Sequence, residues 1–224
     1  MKRLEIEEIV KTLNSFKGFT GGPTKKFSEV ALSTFYSLSV CGLNQDSKFL
    51  DIGCGALRLG FLIMNYLHKN NYYGVEPNQI MLEEGKKKLA QELLNYKNPT
   101  FSNDENFSFQ SEFNDTKFDL ALARSIFTHT SKEQIDLCLL ELSKVMKKDG
   151  IFLLTYLPPK SFLEKEYNGN DWVGKSHKSN IPGLAKYKKT TLLNFSIKHG
   201  FVEDEENSKQ LLTANQEWLV LRKI

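Results

Sequence analysis

Between Lys48 and Tyr156 short apolar runs alternate with longer stretches of helical apolar spacing, and this alternation constrains the fold more than any other feature. The spacing predicts strands over 48–52, 72–75, 100–102, 118–123 and 151–156, with helices over 57–68, 78–96 and 131–147 between them. Strand–helix–strand units of this kind build a parallel sheet covered by helices on both faces, so an α/β, doubly wound architecture is expected. The helix over 131–147 should close at "KKDG", where late lysines meet the macrodipole and a glycine stops the turn. After a helix over 188–199, two strands are expected around 201–205 and 216–222, joined by "NSKQLLTA". That link has no room for a crossover helix, so the last two strands should be antiparallel neighbours.

Two further helices, over 4–16 and 28–41, flank "FTGGPTKKFSEV", whose glycines and proline break the pattern. Residues 1–45 therefore read as an N-terminal helical cap and 46–224 as the main domain. From Pro158 to Ala185 the pattern dissolves into a stretch too long for a plain connection, and about 158–187 reads as a lid or binding loop. Its aromatics, Tyr167, Trp172 and Tyr187, either close that lid over the core or stack on a ring of the ligand.

Composition excludes several function classes. With 30 basic against 27 acidic residues and a net charge of +3, the chain has no nucleic-acid footprint. Cys41, Cys54 and Cys138 are too few and too scattered for a disulfide framework or a zinc site. The start "MKRLEIEEIV" places acids where a signal peptide needs its apolar stretch, and no run of ~18 apolar residues occurs, so a cytoplasmic chain without a membrane partner is expected. Nothing in the sequence sets the oligomeric state.

Chemistry concentrates first in "FLDIGCGALRLG", Phe49 to Gly60, where a strand ends in a glycine turn that opens a helix. Gly53 and Gly55 let the chain bend sharply and bring backbone N–H groups against a ligand. The turn does not carry the nicotinamide fingerprint GxGxxG, because after Gly53 and Gly55 the next glycine is Gly60. Asp51, just before the turn, suits a ligand's ammonium group better than a pyrophosphate. Glu76 in "YYGVEPN" ends the second strand, where an open α/β sheet places a ribose, and Asp104 in "FSNDENF" follows the third, within reach of an adenine amine.

In this order and spacing, "LDIGCG", "YYGVEPN", "FSNDENF" and "FDLALARSIFTHTS" resemble the class I S-adenosylmethionine-dependent methyltransferases, over about Lys48 to Arg222. The resemblance implies a seven-stranded, mostly parallel, Rossmann-like sheet with an antiparallel seventh strand inserted beside the sixth. It implies S-adenosylmethionine as cofactor and S-adenosylhomocysteine as product. The cofactor residues it implies are Asp51, Gly53, Cys54 and Gly55 at the first turn, Glu76 and Pro77 at the second, and Asp104 and Glu105 at the third. Arg124 and Ser125 after the fourth strand contact cofactor or acceptor, and Arg58 either supports the first turn or a ligand carboxylate or is a surface residue at a helix start. The chain departs from many members at Leu57, where they carry a third glycine; variants reading GCG-x-L-R-x-G are often small bacterial enzymes that act on sugars or other metabolites.

Methyl transfer from a sulfonium requires alignment and exclusion of water, and an alcohol acceptor must also lose a proton. His129, just after the fourth strand, is the first candidate base, with helix capping or packing as its alternative; His177, within the lid, is the second. His68 and His199 fall at helix ends and read as structural. No acids surround the end of the fourth strand, so no catalytic metal is expected. The expected reaction is O-methylation of a small-molecule acceptor such as a sugar or capsule-type glycan precursor, including phosphorylated or phosphoramidate-type ones. N-methylation of an amino sugar or protein is one alternative, and a noncatalytic nucleotide-binding module is another.

Overall fold

A computed structural model describes residues 6–16, 27–161, 163–174, 179–211 and 215–224. The break read at "FTGGPTKKFSEV" lies largely outside them, as does His177. Seven strands form one sheet in the order β3-β2-β1-β4-β5-β7-β6. They are β1 (Phe49–Ile52), β2 (Tyr72–Val75), β3 (Thr100–Ser102), β4 (Phe118–Ala123), β5 (Met146–Tyr156), β6 (Phe201–Glu203) and β7 (Glu217–Lys223). The paired strands β1–β2, β2–β3 and β4–β5 are parallel, while β7 is antiparallel to both β5 and β6. The seventh strand is thus inserted beside the sixth, as the resemblance implied. A short helix, Glu205–Gln210, occupies the link between β6 and β7, small enough to leave those strands antiparallel neighbours.

The chain clusters into two compact units, Met1–Asn103 and Asp104–Ile224. In the first, every residue of β1 is buried, as expected of a parallel strand covered on both faces. Helix α1 (Ile6–Ser15) packs on α2 (Phe27–Val40), and both contact α3 (Arg58–Tyr66), whose residues Leu59 to Asn65 are all buried. The helix expected over 78–96 divides into α4 (Gln79–Gly85), one wide π turn (Lys86–Ala90) and α5 (Gln91–Lys97). The wide turn begins directly after Gly85, where a Cβ would lie 2.5 Å from the backbone carbonyl of Ala56. Glycine at that position lets α4 lie backbone-to-backbone on the first turn.

In the second unit a short helix, α6 (Phe109–Glu112), precedes β4. Helix α7 (Lys132–Val145) begins with a full capping box between Ser131 and Gln134. It ends earlier than expected. Met146 is already extended, and Lys147 to Gly150 form an irregularity in β5, since Phe118 pairs with Met146 but Leu120 with Ile151. Asp149 takes the left-handed conformation there, φ 61°, while a Cβ on Gly150 would come 2.9 Å from the carbonyl oxygen of Lys147 and 3.2 Å from that of Asp119. The glycine therefore serves a close approach within the sheet and not a helix stop. The core of this unit is built from Phe152, Leu153 and Leu154 of β5 and Leu219, Val220 and Leu221 of β7, all fully buried. Helix α8 (Lys189–Lys198) completes it.

Candidate cofactor and methyl-transfer site

In the first unit the glycine turn is fixed by bonds to the end of β2 and to the carboxylate that follows it. The N–H groups of Gly53 and Cys54 both donate to the Val75 carbonyl, at 2.8 and 3.0 Å, tying the turn to the end of β2. Gly53 and Gly55 have φ of 75° and 57°, the left-handed region that glycine enters without strain. Leu57 adopts it too, at φ 58°, and its side chain is fully buried. Leu57 thus holds a left-handed position with an apolar anchor, at a conformational cost of roughly 1–2 kcal/mol.

Glu76, 2% exposed, accepts the Gly55 N–H on Oε2 at 2.9 Å and the Asn78 N–H on Oε1 at 2.8 Å. One carboxylate therefore holds the glycine turn and the start of α4, where Asn78 caps by accepting the Met81 N–H and Pro77 stiffens the approach. Burial raises the Glu76 pKa and the two backbone bonds oppose that rise. A carboxylate has about four acceptor sites, so two remain for a diol. Arg58 opens α3, half-buried.

Asp51 is also buried, and the Tyr72 hydroxyl donates to its Oδ2 at 2.7 Å. Asp51 pairs with Gly74 in the sheet, so Tyr72 lies on the same face two residues back, while the space that Gly74 leaves is taken by Cys54 Sγ and the Phe101 ring. Gly60 is needed for the same contact, because a Cβ there would stand 2.5 Å from the Tyr72 hydroxyl. Burial pushes the Asp51 pKa from 3.8 up to about 7; the Tyr72 bond opposes the rise and the nearby Glu76 charge adds to it. No cation contributes to that balance. Two buried carboxyl groups, neither balanced by a cation, fit a ligand that carries an ammonium and a sulfonium, which is the chemistry of S-adenosylmethionine. Cys54 shares this surrounding, and its thiol is pushed well up, so it is a neutral lining group.

The second unit holds the remaining predicted residues. The Ser108 N–H donates to Asp104 at 2.7 Å, shaping the loop around that acid, while Glu105 is exposed. At the C-terminal end of β4, Ser125 has φ 64°; its N–H donates to Thr155 Oγ1 at 2.7 Å and its hydroxyl to Gln216 Oε1 at 3.1 Å. Arg124 is half-buried, with a buried Nε that meets no hydrogen-bond partner.

His129 does not cap α7, since Ser131 does. Its Nδ1 lies 2.7 Å from the Val173 carbonyl oxygen, and the Val173 N–H donates back to the His129 carbonyl at 2.7 Å. A carbonyl only accepts, so Nδ1 carries the proton and the lone pair of the neutral ring sits on Nε2. Burial lowers the pKa below 6.5, against the Val173 bond that raises it, which keeps the ring neutral near pH 7. Gly174, at φ 90°, lies against this ring; a Cβ there would come 2.7 Å from Nδ1.

The described part of the lid region is stitched to the same segment. The Ala185 N–H donates to Thr128 at 2.8 Å, the Gly174 N–H to Ile181 at 2.7 Å, and the buried Tyr187 hydroxyl to the Thr130 carbonyl at 2.6 Å. Tyr187 thus closes the segment down, and Trp172 packs near Phe107 with ring centroids 6.1 Å apart. His68 pairs with Asp46 at 2.9 Å and His199 with Asp136 at 2.7 Å, both in structural roles. Among the described residues no three His, Cys, Asp or Glu side chains cluster to hold a metal, and no helix is long and apolar enough to cross a membrane.

Sequence reasoning missed Tyr72, Val173 and Gly174. Tyr72 reads as an ordinary strand aromatic, although a buried tyrosine hydroxyl usually finds a partner; Val173 contributes only backbone, which no sequence pattern marks.

A sheet with β7 inserted antiparallel between β5 and β6, and a glycine turn gripped by a carboxylate from the next strand, define a cofactor-binding α/β enzyme. The chain belongs to the methyltransferase-domain family, whose model matches residues 43–213, and it is an S-adenosylmethionine-dependent methyltransferase. Solved structures share the fold at low identity. Magnesium protoporphyrin IX methyltransferase from Synechocystis PCC 6803, with bound S-adenosylmethionine, is 16% identical with a TM-score of 0.63, covering 99% of this chain and 98% of that one. The CcbJ methyltransferase from Streptomyces caelestis is 15% identical with a TM-score of 0.61, covering 93% and 100%. The PH0226 protein from Pyrococcus horikoshii OT3 is 15% identical with a TM-score of 0.62, covering 95% and 98%.

Proposed function

We propose that the enzyme methylates an oxygen of a small polar acceptor, with sugars and glycan precursors as the leading class and His129 as the general base. The observation that carries this reading is the His129–Val173 pair. It fixes a neutral imidazole with its lone pair on Nε2, six residues beyond the C-terminal end of the fourth strand, and a base in that state suits removal of an alcohol proton. When bound, the cofactor supplies the electrophilic methyl group. In the first unit Asp51 would hold its ammonium and Glu76 its ribose hydroxyls; in the second, Asp104 and Glu105 are the residues that the family resemblance assigns to its adenine. The near-balanced charge of the chain argues against a nucleic-acid acceptor, and the sugar class is carried over from the GCG-x-L-R-x-G turn. One protein of the same fold acts on magnesium protoporphyrin IX, which supports a small-molecule acceptor in a scaffold of this kind.

The test is His129→Gln and His129→Ala, with S-adenosylhomocysteine release measured across sugar and sugar-phosphate acceptors. The expected result is a fall in kcat of roughly 10²–10⁴-fold with S-adenosylhomocysteine affinity within about twofold of wild type. Near-normal turnover in both variants would remove the base and shift the reading to a neutral amine acceptor.

A further inference from the structure

Arg124 is the unusual charge of the second unit. Several other basic side chains there are matched: Lys147 pairs with Asp119 at 2.6 Å, Lys198 with Asp136 at 2.7 Å, and Arg222 with Asp204. Arg124 is half-buried, its Nε is sealed from solvent, and among the described residues no carboxylate, carbonyl or hydroxyl accepts from that nitrogen. Burial alone depresses its pKa, with no anion to counter the effect. The acceptors gathered around its chain neighbour Ser125 are already engaged: Thr155 Oγ1 takes the Ser125 N–H, and Gln216 Oε1 takes the hydroxyls of Ser125 and Thr155 at 3.1 and 2.5 Å. A guanidinium does not lose its proton in a protein, so burying it unpaired is costly and the fold gains nothing visible in return.

Its position supplies the reason. Arg124 directly follows β4, at the C-terminal edge of a parallel strand, where open α/β sheets take their ligands, and it stands five residues before His129. The geometry points to Arg124 as an oxyanion subsite: the acceptor carries a phosphate or carboxylate, which the guanidinium fork binds while the hydroxyl to be methylated is presented to His129. With Nε sealed, the outer Nη edge of the planar fork suits two parallel N–H···O bonds to such a group, and that anion supplies the charge missing from the protein. This inference rests on the acceptor reading above and narrows its substrate class to anionic compounds. The same chemistry has a second source, the carboxylate of the cofactor's own methionine part, and the experiment separates the two.

Calorimetry on the full chain would titrate three probes into wild type, Arg124→Met and Arg124→Lys. They are S-adenosylhomocysteine, 5′-methylthioadenosine, which lacks the amino-acid end, and inorganic phosphate added to protein saturated with S-adenosylhomocysteine. The expected result is saturable phosphate binding in wild type, weakened roughly tenfold or more in Arg124→Met and partly restored in Arg124→Lys, with both nucleosides bound as in wild type. Unchanged nucleoside binding also shows that the variants are folded. Three results would overturn the proposal: no saturable phosphate binding in wild type, equal phosphate affinity in all three proteins, or loss of S-adenosylhomocysteine but not methylthioadenosine affinity in Arg124→Met. The last assigns the guanidinium to the cofactor carboxylate. None of these readouts depends on turnover, so failure of His129 as the base leaves them intact.

Discussion

Replacing Asp51 with Asn should make the cofactor-free enzyme more stable at alkaline pH while weakening its hold on the cofactor. Burial raises the Asp51 pKa from 3.8 to about 7, so the folded protein holds this proton more tightly than the unfolded chain does. The sign follows from linkage: between those two values the folded state binds more protons, so stability falls as pH rises and the full cost is reached above about 7. At ~1.4 kcal/mol per pH unit, the whole interval amounts to on the order of 4 kcal/mol, of which about 3 kcal/mol develops between pH 5 and pH 8. Asparagine has nearly the same shape, can still accept the Tyr72 hydroxyl, and does not titrate. Urea unfolding of wild type and Asp51→Asn at pH 5 and pH 8 gives the double difference directly. The advantage of the variant should grow by about 3 kcal/mol from the lower to the higher pH. Its S-adenosylhomocysteine affinity should fall by roughly tenfold or more at pH 8, because a neutral amide replaces the ammonium's partner. An advantage equal at the two pH values within about 0.5 kcal/mol would refute the account of Asp51 as a strained, ligand-directed carboxylate.

Tyr72→Phe removes the hydroxyl bond that favours ionised Asp51, so the carboxyl keeps its proton to higher pH. Calorimetric S-adenosylhomocysteine affinity, measured from pH 6 to pH 9, should drop by roughly tenfold near pH 7 and its midpoint should move upward; an equal loss at every pH would mean that Tyr72 only packs. Gly174→Ala forces a Cβ to within 2.7 Å of His129 Nδ1 at φ 90°, displacing the ring from the Val173 carbonyl. The expected outcome is a lower kcat with unchanged S-adenosylhomocysteine affinity, plus about 1–2 kcal/mol of lost stability from the strained backbone; unaltered turnover would show that the ring's placement is immaterial.

Legibility in the sequence followed the range of the physics. The strands 72–75 and 118–123 were read with the bounds they have, because a buried parallel strand is a short apolar run and needs no partner to be recognised. The edge strand 100–102, exposed at Thr100, was legible only from its place in the alternation. The end of α7 was misjudged for the opposite reason. "KKDG" matches a helix stop locally, but pairing with β4 draws Met146 into the sheet and gives Gly150 a different purpose. The helix over 78–96 likewise concealed its wide turn, which lies beside a backbone contact with Ala56 that chain order does not reveal.

What the sequence determined by itself is therefore the alternation that makes a doubly wound sheet, the bend at Gly53 and Gly55, and the carboxylates Asp51, Glu76 and Asp104 at successive strand ends. These depend on side-chain period and backbone freedom over a few residues. Only the tertiary structure decided how those groups are charged and oriented. It closed the Tyr72–Asp51 bond across 21 residues and the His129–Val173 bond across 44, and it turned Glu76 toward the N–H of Gly55. Proton affinity and tautomer depend on burial and on partners distant in the chain, and neither exists until the chain has folded.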